Sequence, residues 1–283
     1  MLGPSEVRDL LDRHGLQARR SLGQNFVVDP NTVASIARVS GVGPGDRVVE
    51  VGPGLGSLTL ALAATGAQVL AVEKDRSLVP VLTEVLADAR RDDPASWDRV
   101  RVVEGDALRL DWSELLDAGE WTLVANLPYN VAVPVVMRVL STAGTVRRLV
   151  VMVQEEVAER LCASPGDRTI GIPTIKVAWY GSARILKTVG PEVFLPRPRV
   201  RSAVVGIDRH PPPSERIGPT ELFPLVERAY HQRRKMLRST LSGVVEPAVF
   251  DAAGIDPRLR PERLSIGDWV RLAEALDAGG PTS

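Results

Sequence analysis

The sequence has little of what several classes of protein need. It has one cysteine, Cys162, in 283 residues, so one chain forms no disulfide and builds no cysteine-rich zinc site. The histidines, His14, His210 and His231, are too scattered to indicate a metal site or a catalytic triad. No apolar run reaches the roughly 18 residues of a membrane span, and Met1–Leu11 lacks the pattern of a signal peptide. We therefore expect a cytoplasmic protein with no metal and no membrane segment.

The chain also lacks net charge, because 35 basic and 35 acidic residues cancel. From Arg184 to Arg238, however, twelve Lys or Arg stand against five Asp or Glu, so this stretch carries +7 and the remainder −7. A basic zone on a neutral protein indicates a polyanionic partner bound on one side. An exposed helix with solvated arginines would give the same count.

Short apolar runs rich in Val and Leu alternate with helical patterns over most of the chain. They lack polar–apolar alternation, which is typical of strands buried on both faces. The predicted strands are Arg47–Val51, Gln68–Val72, Val100–Val103, Thr122–Ala125 and Leu149–Val153, and the predicted helices are Ser57–Ala64, Ser77–Ala89, Ser113–Leu116 and Pro134–Leu140. This order predicts an α/β fold with a doubly wound parallel sheet. Later strands, antiparallel at the sheet edge, are predicted at Val177–Tyr180, Ala183–Val189 and Ser202–Ile207.

The run Pro211-Pro212-Pro213-Ser214 is the clearest break in the chain, because consecutive prolines form a stiff linker. The pattern then becomes helical, with apolar residues on one face at Leu222, Leu225, Val226, Ala229 and Met236. We expect two domains, residues 1–209 with the parallel sheet and residues 210–283 as a small all-helical domain. The tail, 279–283, is expected to fray.

A glycine-rich turn follows the first predicted strand and opens a helix, in the run Glu50-Val51-Gly52-Pro53-Gly54-Leu55-Gly56. Glycines let the backbone turn tightly and approach a ligand. Glu73 ends the next strand, 21 residues after Gly52, where a carboxylate can accept hydrogen bonds from both ribose hydroxyls of an adenosine. A dinucleotide site needs glycine where Ser57 stands, so the spacing favours a nucleoside-binding methyltransferase. Asp106 is placed to accept from the adenine amine of the cofactor, or to cap the following segment.

The motif Asn126-Leu127-Pro128-Tyr129 ends the fourth predicted strand, at the sheet edge that faces the ligand crevice. The N6 amine of adenine is a poor nucleophile, because its lone pair is delocalised into the ring. The Asn126 amide oxygen and the Pro128 carbonyl can accept its hydrogens and free the lone pair. Tyr129 offers a face on which an extruded base can stack, and Phe194, in a proline-rich loop, is a second aromatic candidate. An ordinary turn would explain the first motif, and loop packing would explain Phe194.

These residues together resemble the ribosomal RNA adenine dimethylase family over most of the chain. The shared motifs are Ser21-Leu22-Gly23-Gln24-Asn25-Phe26, the glycine turn, Glu73, Gly105-Asp106-Ala107, Asn126-Leu127-Pro128-Tyr129, Pro191, Phe194, Pro196, Pro198, Val200, Ser202 and Gln232-Arg233-Arg234-Lys235. The resemblance implies a Rossmann-like catalytic domain that uses S-adenosylmethionine, and a helical C-terminal domain. It implies transfer of two methyl groups to N6 of each of two adjacent adenosines near the 3′ end of 16S rRNA, during maturation of the small subunit.

The resemblance also implies the residues that bind. The cofactor residues it implies are Asn25, Val27, Gly52, Gly54, Glu73, Asp106 and Asn126. Val27 departs from the family's usual leucine, and Arg199 stands where the family often has lysine. The residues expected to bind RNA phosphates are Arg197, Arg199 and Arg201 near the catalytic loop and Arg233, Arg234 and Lys235 on the cationic face of one helix, His231–Arg238, with Arg19 and Arg20 adding to the groove. We expect a monomer whose partner is rRNA within the small subunit or its precursor.

Three other functions remain open. A related methylase of the macrolide-resistance type acts on one adenosine of 23S rRNA, although leucine at position 127 favours the small-subunit enzyme because the rival group more often carries isoleucine. A largely non-catalytic checkpoint factor for subunit assembly would share the same residues. A nicotinamide oxidoreductase lacks its third spaced glycine here.

Overall fold

The computed structural model of the chain describes residues 1–19, 23–92 and 98–278, without the side chain of Asp92. Arg20, Ser21-Leu22 of the opening motif and the tail 279–283 lie outside the described residues. Contacts divide the chain into two compact units, Met1–Ala158 with Arg184–Asp208, and Glu159–Ala183 with Arg209–Ser283. The expected division at 209/210 differs from this one, because residues 159–183 cluster with the C-terminal unit.

A seven-stranded sheet forms the centre of the first unit. Its strands are β2 Arg47–Val51, β3 Gln68–Glu73, β4 Val100–Glu104, β5 Trp121–Asn126, β6 Val146–Gln154, β7 Gly181–Val189 and β9 Ser202–Arg209. Their order is β4-β3-β2-β5-β6-β9-β7. The strands β2 to β6 pair in parallel, whereas β9 is antiparallel to β6. This confirms the predicted α/β fold and the antiparallel addition at one side of the sheet.

Helices precede β2, connect the parallel strands and follow β6. They are α1 Pro4–Arg13, α2 Pro30–Ser40, α3 Ser57–Ala63, α4 Val79–Asp92, α5 Trp112–Leu115, α6 Ala132–Thr142 and α7 Glu155–Leu161. Val33 and Ile36 of α2 and Leu62 of α3 are fully or almost fully buried in one apolar cluster with sheet residues. A short antiparallel pair, β1 Phe26–Val27 with β8 Phe194–Leu195, joins the N-terminal segment to the loop before β9.

The second unit is helical. Its helices are α8 Ile172–Tyr180, α9 Pro219–His231, α10 Leu237–Thr240, α11 Pro247–Ala253 and α12 Ile266–Ala278. Leu222 and Val226 of α9 pack with Trp269 and Leu272 of α12 in one core, and all four are fully buried. The triple proline is exposed and has no regular structure.

Two sequence expectations in this unit are wrong. Val177–Tyr180 was expected to be a strand but ends α8, whose first turn carries Pro173, a residue favoured there. Trp179 and Tyr180 each meet the Phe223 ring of α9 edge-on, which favours the helix over a short strand.

The cationic residues 233–235 do not lie on a helix either. The helix α9 ends at His231, residues 232–235 form a turn, and Met236 is 39% exposed just before α10. No apolar residue in this stretch can extend the buried face of α9. The turn instead brings Leu237 into the core, where its N–H donates to the Leu259 carbonyl at 2.8 Å.

Candidate active site

The carboxyl ends of β2, β3 and β5 lie side by side, at the point where the order in which the strands are added to the sheet reverses. From β2 the chain builds outward through β3 to β4, and then returns to place β5 on the other side of β2. Such a switch point opens a crevice at the carboxyl ends of the strands. A cavity of about 260 Å³ lies there. It is lined by every residue predicted to bind the cofactor, Asn25, Val27, Gly52, Gly54, Glu73, Asp106 and Asn126, and by Pro128 and Tyr129.

The glycine turn needs the left-handed backbone that glycine adopts freely. Gly52, with φ of 72°, donates its N–H to the Val72 carbonyl at 2.9 Å. Gly54 has φ of 59°, and a Cβ there would lie 3.0 Å from the Phe26 ring. Any larger residue would therefore strain the backbone and crowd the cavity wall.

Glu73 is 6% exposed at the end of β3. Its carboxylate accepts from the Gly54 N–H at 3.0 Å and from the Asp75 N–H at 2.7 Å. Burial raises the pKa of Glu73, and these backbone hydrogen bonds only partly oppose the rise. The carboxylate thus ties the glycine turn to β3 and faces the cavity.

A second acid, Glu50 in β2, lines the same cavity and is 1% exposed. Its Oε2 accepts from the Thr59 hydroxyl at 2.6 Å. Burial raises the pKa of Glu50 to about 8, and the nearby Glu73 carboxylate adds to the rise. At neutral pH Glu50 is therefore mostly protonated, which reduces the negative charge buried at the cavity.

Asp106 follows β4 at the far side of the cavity. Its Oδ1 accepts from the Leu108 N–H at 3.0 Å, and its Oδ2 lies 2.8 Å from Lys74 Nζ. Burial works to raise the pKa of Asp106, but the bonds from Lys74 and Leu108 outweigh it and hold the pKa below its usual range. Asp106 thus caps a turn rather than a helix and stays ionised at the cavity.

The Asn126 amide is fixed by one hydrogen bond. Its Nδ2 donates to the Asn25 carbonyl at 3.0 Å, and among the described residues its Oδ1 has no partner. Pro128 lies against the glycine turn, since a Cβ at Gly52 would be 4.0 Å from Pro128 Cδ. The Pro128 carbonyl accepts from the Val131 N–H at 3.0 Å, which leaves one of its two lone pairs for a second donor.

The two aromatic candidates lie in different surroundings. Tyr129 is half-buried at the cavity, and its hydroxyl is 2.7 Å from the Ser202 hydroxyl. Phe194 is 3% exposed and packs in the apolar cluster that contains Val27 and Val33. In this conformation the Phe194 ring has no free face, so its stacking role stays a prediction.

The predicted RNA-binding residues lie in both units. Arg197 and Arg199 are exposed in the first unit, and Arg201 is 3.4 Å from the Glu155 carboxylate. In the second unit Arg234 and Lys235 are exposed, whereas Arg233 donates to the Arg168 carbonyl at 3.0 Å and lies 3.5 Å from Glu262. Arg19 Nη1 is 3.3 Å from Asp75 in the first unit.

Sequence reasoning assigned no role to Gln24 or Asp75, which both line the cavity. The one available signal was that Asp75 stands two positions after Glu73, in the loop that leaves β3. Within the described residues no group of His, Cys, Asp or Glu is arranged to hold a metal ion, and no helix there is long and apolar enough to cross a membrane.

Solved structures define the class of fold. The 23S rRNA methyltransferase ErmE is 25% identical, with a TM-score of 0.69, over 89% of this chain and 99% of that one. A dimethyladenosine transferase from Plasmodium falciparum matches with a TM-score of 0.71 at 21% identity, over 86% and 94% of the two chains. The fold is that of the Rossmann-like S-adenosylmethionine-dependent methyltransferases, with a helical C-terminal part, as predicted.

Sequence relatives narrow the class to a family. The sequence profile described as ribosomal RNA adenine dimethylase matches residues 15–278. Ribosomal RNA small subunit methyltransferase A of Acidothermus cellulolyticus is 48% identical, over 97% of this chain and 94% of the relative. The same enzyme of Thermobifida fusca is 47% identical, over 97% and 96%. The chain belongs to the ribosomal RNA adenine dimethylase family, which confirms the predicted enzyme class and S-adenosylmethionine as the methyl donor.

Proposed function

We propose that the protein transfers methyl groups from S-adenosylmethionine to N6 of two adjacent adenosines near the 3′ end of 16S rRNA, two to each, during small-subunit maturation. The observation that carries the proposal is the Asn126 amide, whose oxygen has no partner within the described part of the chain and lies at a cavity that also contains the glycine turn and Glu73. We further propose a monomeric enzyme that meets rRNA of the small subunit or its precursor in the cytoplasm.

The cavity residues fit S-adenosylmethionine by their chemistry. The turn of Gly52 and Gly54 lets backbone approach a ligand, Glu73 offers carboxylate oxygens to a ribose, and ionised Asp106 offers an acceptor to an adenine amine. When bound, the cofactor supplies a methyl group activated by a positively charged sulfur. The residues proposed to hold it are Asn25, Val27, Gly52, Gly54, Glu73, Asp106 and Asn126.

The same residues support activation of the adenine amine. Asn126 Oδ1 and the Pro128 carbonyl would accept the N6 hydrogens, two before the first transfer and one before the second, which frees the nitrogen lone pair to displace the sulfur from the methyl carbon. The proton leaves to solvent after transfer, so no strong general base is required. The Tyr129 ring, held through its hydroxyl by Ser202, is the proposed stacking surface for the base. The enzyme therefore contributes to the rate mainly by positioning the two reactants.

The proposed RNA contacts are Arg197, Arg199, Arg201, Arg233, Arg234 and Lys235. In the described part of the chain, the side chains of Arg197, Arg199, Arg234 and Lys235 have no ion-pair partner, so they are available to phosphates. Such contacts supply affinity and register, and base stacking and RNA shape select the site.

The test is methyl transfer from labelled S-adenosylmethionine to small subunits that lack the modification, followed by mapping of the labelled nucleotides. We expect label on two adjacent adenosines near the 3′ end of 16S rRNA and none on naked large-subunit RNA. Label on a single adenosine of 23S rRNA would replace the proposal with the macrolide-resistance activity. The likeness to ErmE favours that rival less than the 47–48% identity favours the small-subunit enzyme.

A second function, as a checkpoint in subunit assembly, needs a separate assay. Asn126→Ala removes the proposed acceptor without touching the exposed arginines. If this variant still docks on immature small subunits with the affinity of the unmodified enzyme, docking is independent of catalysis. Docking lost together with transfer would exclude the checkpoint role.

A further inference from the structure

Asp75 is a buried carboxylate at the cavity to which no cofactor or substrate contact has been assigned. It is 6% exposed, in the loop after β3. Its Oδ1 accepts from the Ser77 hydroxyl at 2.6 Å and the Ser77 N–H at 3.1 Å, and is 3.3 Å from Arg19 Nη1. Its Oδ2 accepts from Gln24 Nε2 at 2.8 Å. One carboxylate oxygen therefore contacts Ser77 of its own loop and Arg19, and the other contacts Gln24.

These contacts hold Asp75 ionised. Burial works to raise the pKa of Asp75, but the hydrogen bonds from Ser77 and Gln24, with the charge of Arg19, outweigh it and keep the pKa below its usual range. A neutral Asp75 would lose the stronger, charge-assisted form of these bonds.

Gln24 links Asp75 to the N-terminal segment. Its side-chain Oε1 accepts from the Arg19 N–H at 2.8 Å, while its Nε2 is bound to Asp75. Both ends of the Gln24 amide are thus used. The neighbouring Gly23 packs closely, because a Cβ there would lie 2.6 Å from Asn130 Oδ1.

The next residue along the segment, Asn25, provides the carbonyl that orients the Asn126 amide, at 3.0 Å from Nδ2. The oxygen of a side-chain amide keeps one fixed direction when the amide nitrogen donates a hydrogen bond on the opposite side. Residues 23–25 are consequently fastened at the end of β3 by Asp75 and at the end of β5 by Asn126. Displacing Gln24 would move the Asn25 carbonyl and release the amide.

We propose that Asp75 is a positioning residue which, through Gln24, holds the Asn25 carbonyl in place and thereby orients the Asn126 amide and shapes the cofactor cavity. The inference rests on the proposed function, because it assumes that this cavity binds S-adenosylmethionine and that Asn126 accepts from adenine. Asp75 itself touches neither reactant in this account. Its loss lowers both the affinity for the cofactor and the rate of transfer.

A reciprocal exchange tests the contact. Gln24→Glu places a second carboxylate against Asp75 and should weaken binding of S-adenosylmethionine about tenfold or more and lower kcat. The double variant Gln24→Glu/Asp75→Asn rebuilds the hydrogen bond with donor and acceptor exchanged, because each change keeps the length of its side chain. The new amide oxygen still accepts from Ser77, and the new carboxylate still accepts from the Arg19 N–H. We expect Kd and kcat within about threefold of the unmodified enzyme.

Calorimetric binding of S-adenosylmethionine to the full chain, kcat on unmodified small subunits and the melting temperature are measured for each variant. Glu84→Gln is the matched control, because Glu84 holds the N-terminal segment elsewhere, through Arg13 and His14 at 2.7 Å each. It should lower the melting temperature without changing Kd. If Gln24→Glu does not fold, Gln24→Leu removes the donor without adding charge and should also weaken binding.

The outcomes separate this inference from the proposed function. Recovery of Kd and kcat in the double variant supports the positioning role. Two substitutions that only destabilised the fold would add their effects and would not cancel one another. Normal Kd and kcat in Gln24→Glu, or a double variant no better than the worse single one, would overturn it. If the unmodified chain neither binds S-adenosylmethionine nor methylates small subunits, the proposed function fails first.

Discussion

At the scale of single residues, a side-chain amide can present either its oxygen or its nitrogen to a ligand, and its other contact decides which. In Asn126 the nitrogen donates to the Asn25 carbonyl, so the oxygen faces the cavity. The sequence predicted that Asn126 and the glycine turn would face one ligand crevice, because each follows a strand of the same parallel sheet. It could not predict the partner of Nδ2, which depends on how the N-terminal segment crosses the cavity.

The face of the Tyr129 ring is expected to stack on the adenine base, and the hydroxyl is not expected to take part in the reaction. Tyr129→Phe keeps the face and loses only the contact with Ser202, so we expect most of the transfer activity to remain. Tyr129→Ala removes a stacking surface worth about 1–3 kcal/mol per base, so kcat/KM for small subunits should fall roughly 10- to 100-fold. Equal losses in the two variants would argue against stacking. Binding of S-adenosylmethionine serves as the control for the cavity.

Glu50 should make the stability of the protein depend on pH. Folded Glu50 keeps its proton to about pH 8, whereas an unfolded glutamate loses it near 4.5, so unfolding releases a proton between these values. The free energy of unfolding therefore falls as pH rises through this window, by about 1.4 kcal/mol per unit from this group. Glu50→Gln should flatten the slope in denaturant titrations without cofactor. An exposed control, Glu114→Gln, should keep it, and an unchanged slope in Glu50→Gln would contradict the assignment.

At the scale of elements, the positions of strands and helices were predicted correctly where the sequence has a clear pattern of apolar residues. The strands β2 to β6 and the helices α3 to α6 were predicted within a few residues, because short runs of Val and Leu between helical patterns admit few alternatives. The strand β4 is an exception to the expected burial on both faces, because it lies at the sheet edge and none of its residues is buried. Val177–Tyr180 was misassigned because four apolar or aromatic residues do not distinguish a strand from the end of a helix. Pro173, at the start of α8, was the local signal for the helix.

In the turn between α9 and α10, Arg234 and Lys235 should contribute more to RNA binding than Arg233, which already has partners in the protein. Replacing Arg234 and Lys235 with Ala should reduce the slope of log Kd against log salt by about one to two, with no change in melting temperature. Arg233→Ala should lower the melting temperature, because Arg233 binds the Arg168 carbonyl and Glu262. A full salt slope in the double variant would remove this turn from the RNA interface.

At the scale of the whole molecule, two features of the sequence were informative, the distribution of charge and the triple proline. Neutral overall charge conceals the basic stretch from Arg184 to Arg238, whose members are distributed over both units. The sequence indicated the C-terminal helical part from the triple proline. It did not indicate that residues 159–183 cluster with that part, because this grouping depends on the packing of α8 against α9.

Binding of the cofactor should stabilise the chain as a whole. S-adenosylmethionine at about 100 times its Kd should raise the free energy of unfolding by about 2.7 kcal/mol, because only the folded cavity binds it. The measurement is the melting temperature with increasing ligand. NAD serves as the control and should cause no shift, since Ser57 occupies the position of the third glycine. A shift with NAD alone would favour an oxidoreductase.

The most direct test of the account is a single-turnover comparison of Asn126→Ala with the unmodified enzyme, on small subunits that lack the modification and with S-adenosylmethionine at saturation. We predict that transfer falls by about 100-fold or more, as expected for loss of one oriented acceptor, while saturation with the cofactor is still reached. Transfer at the unmodified rate would show that Asn126 does not hold the adenine amine and would contradict the account.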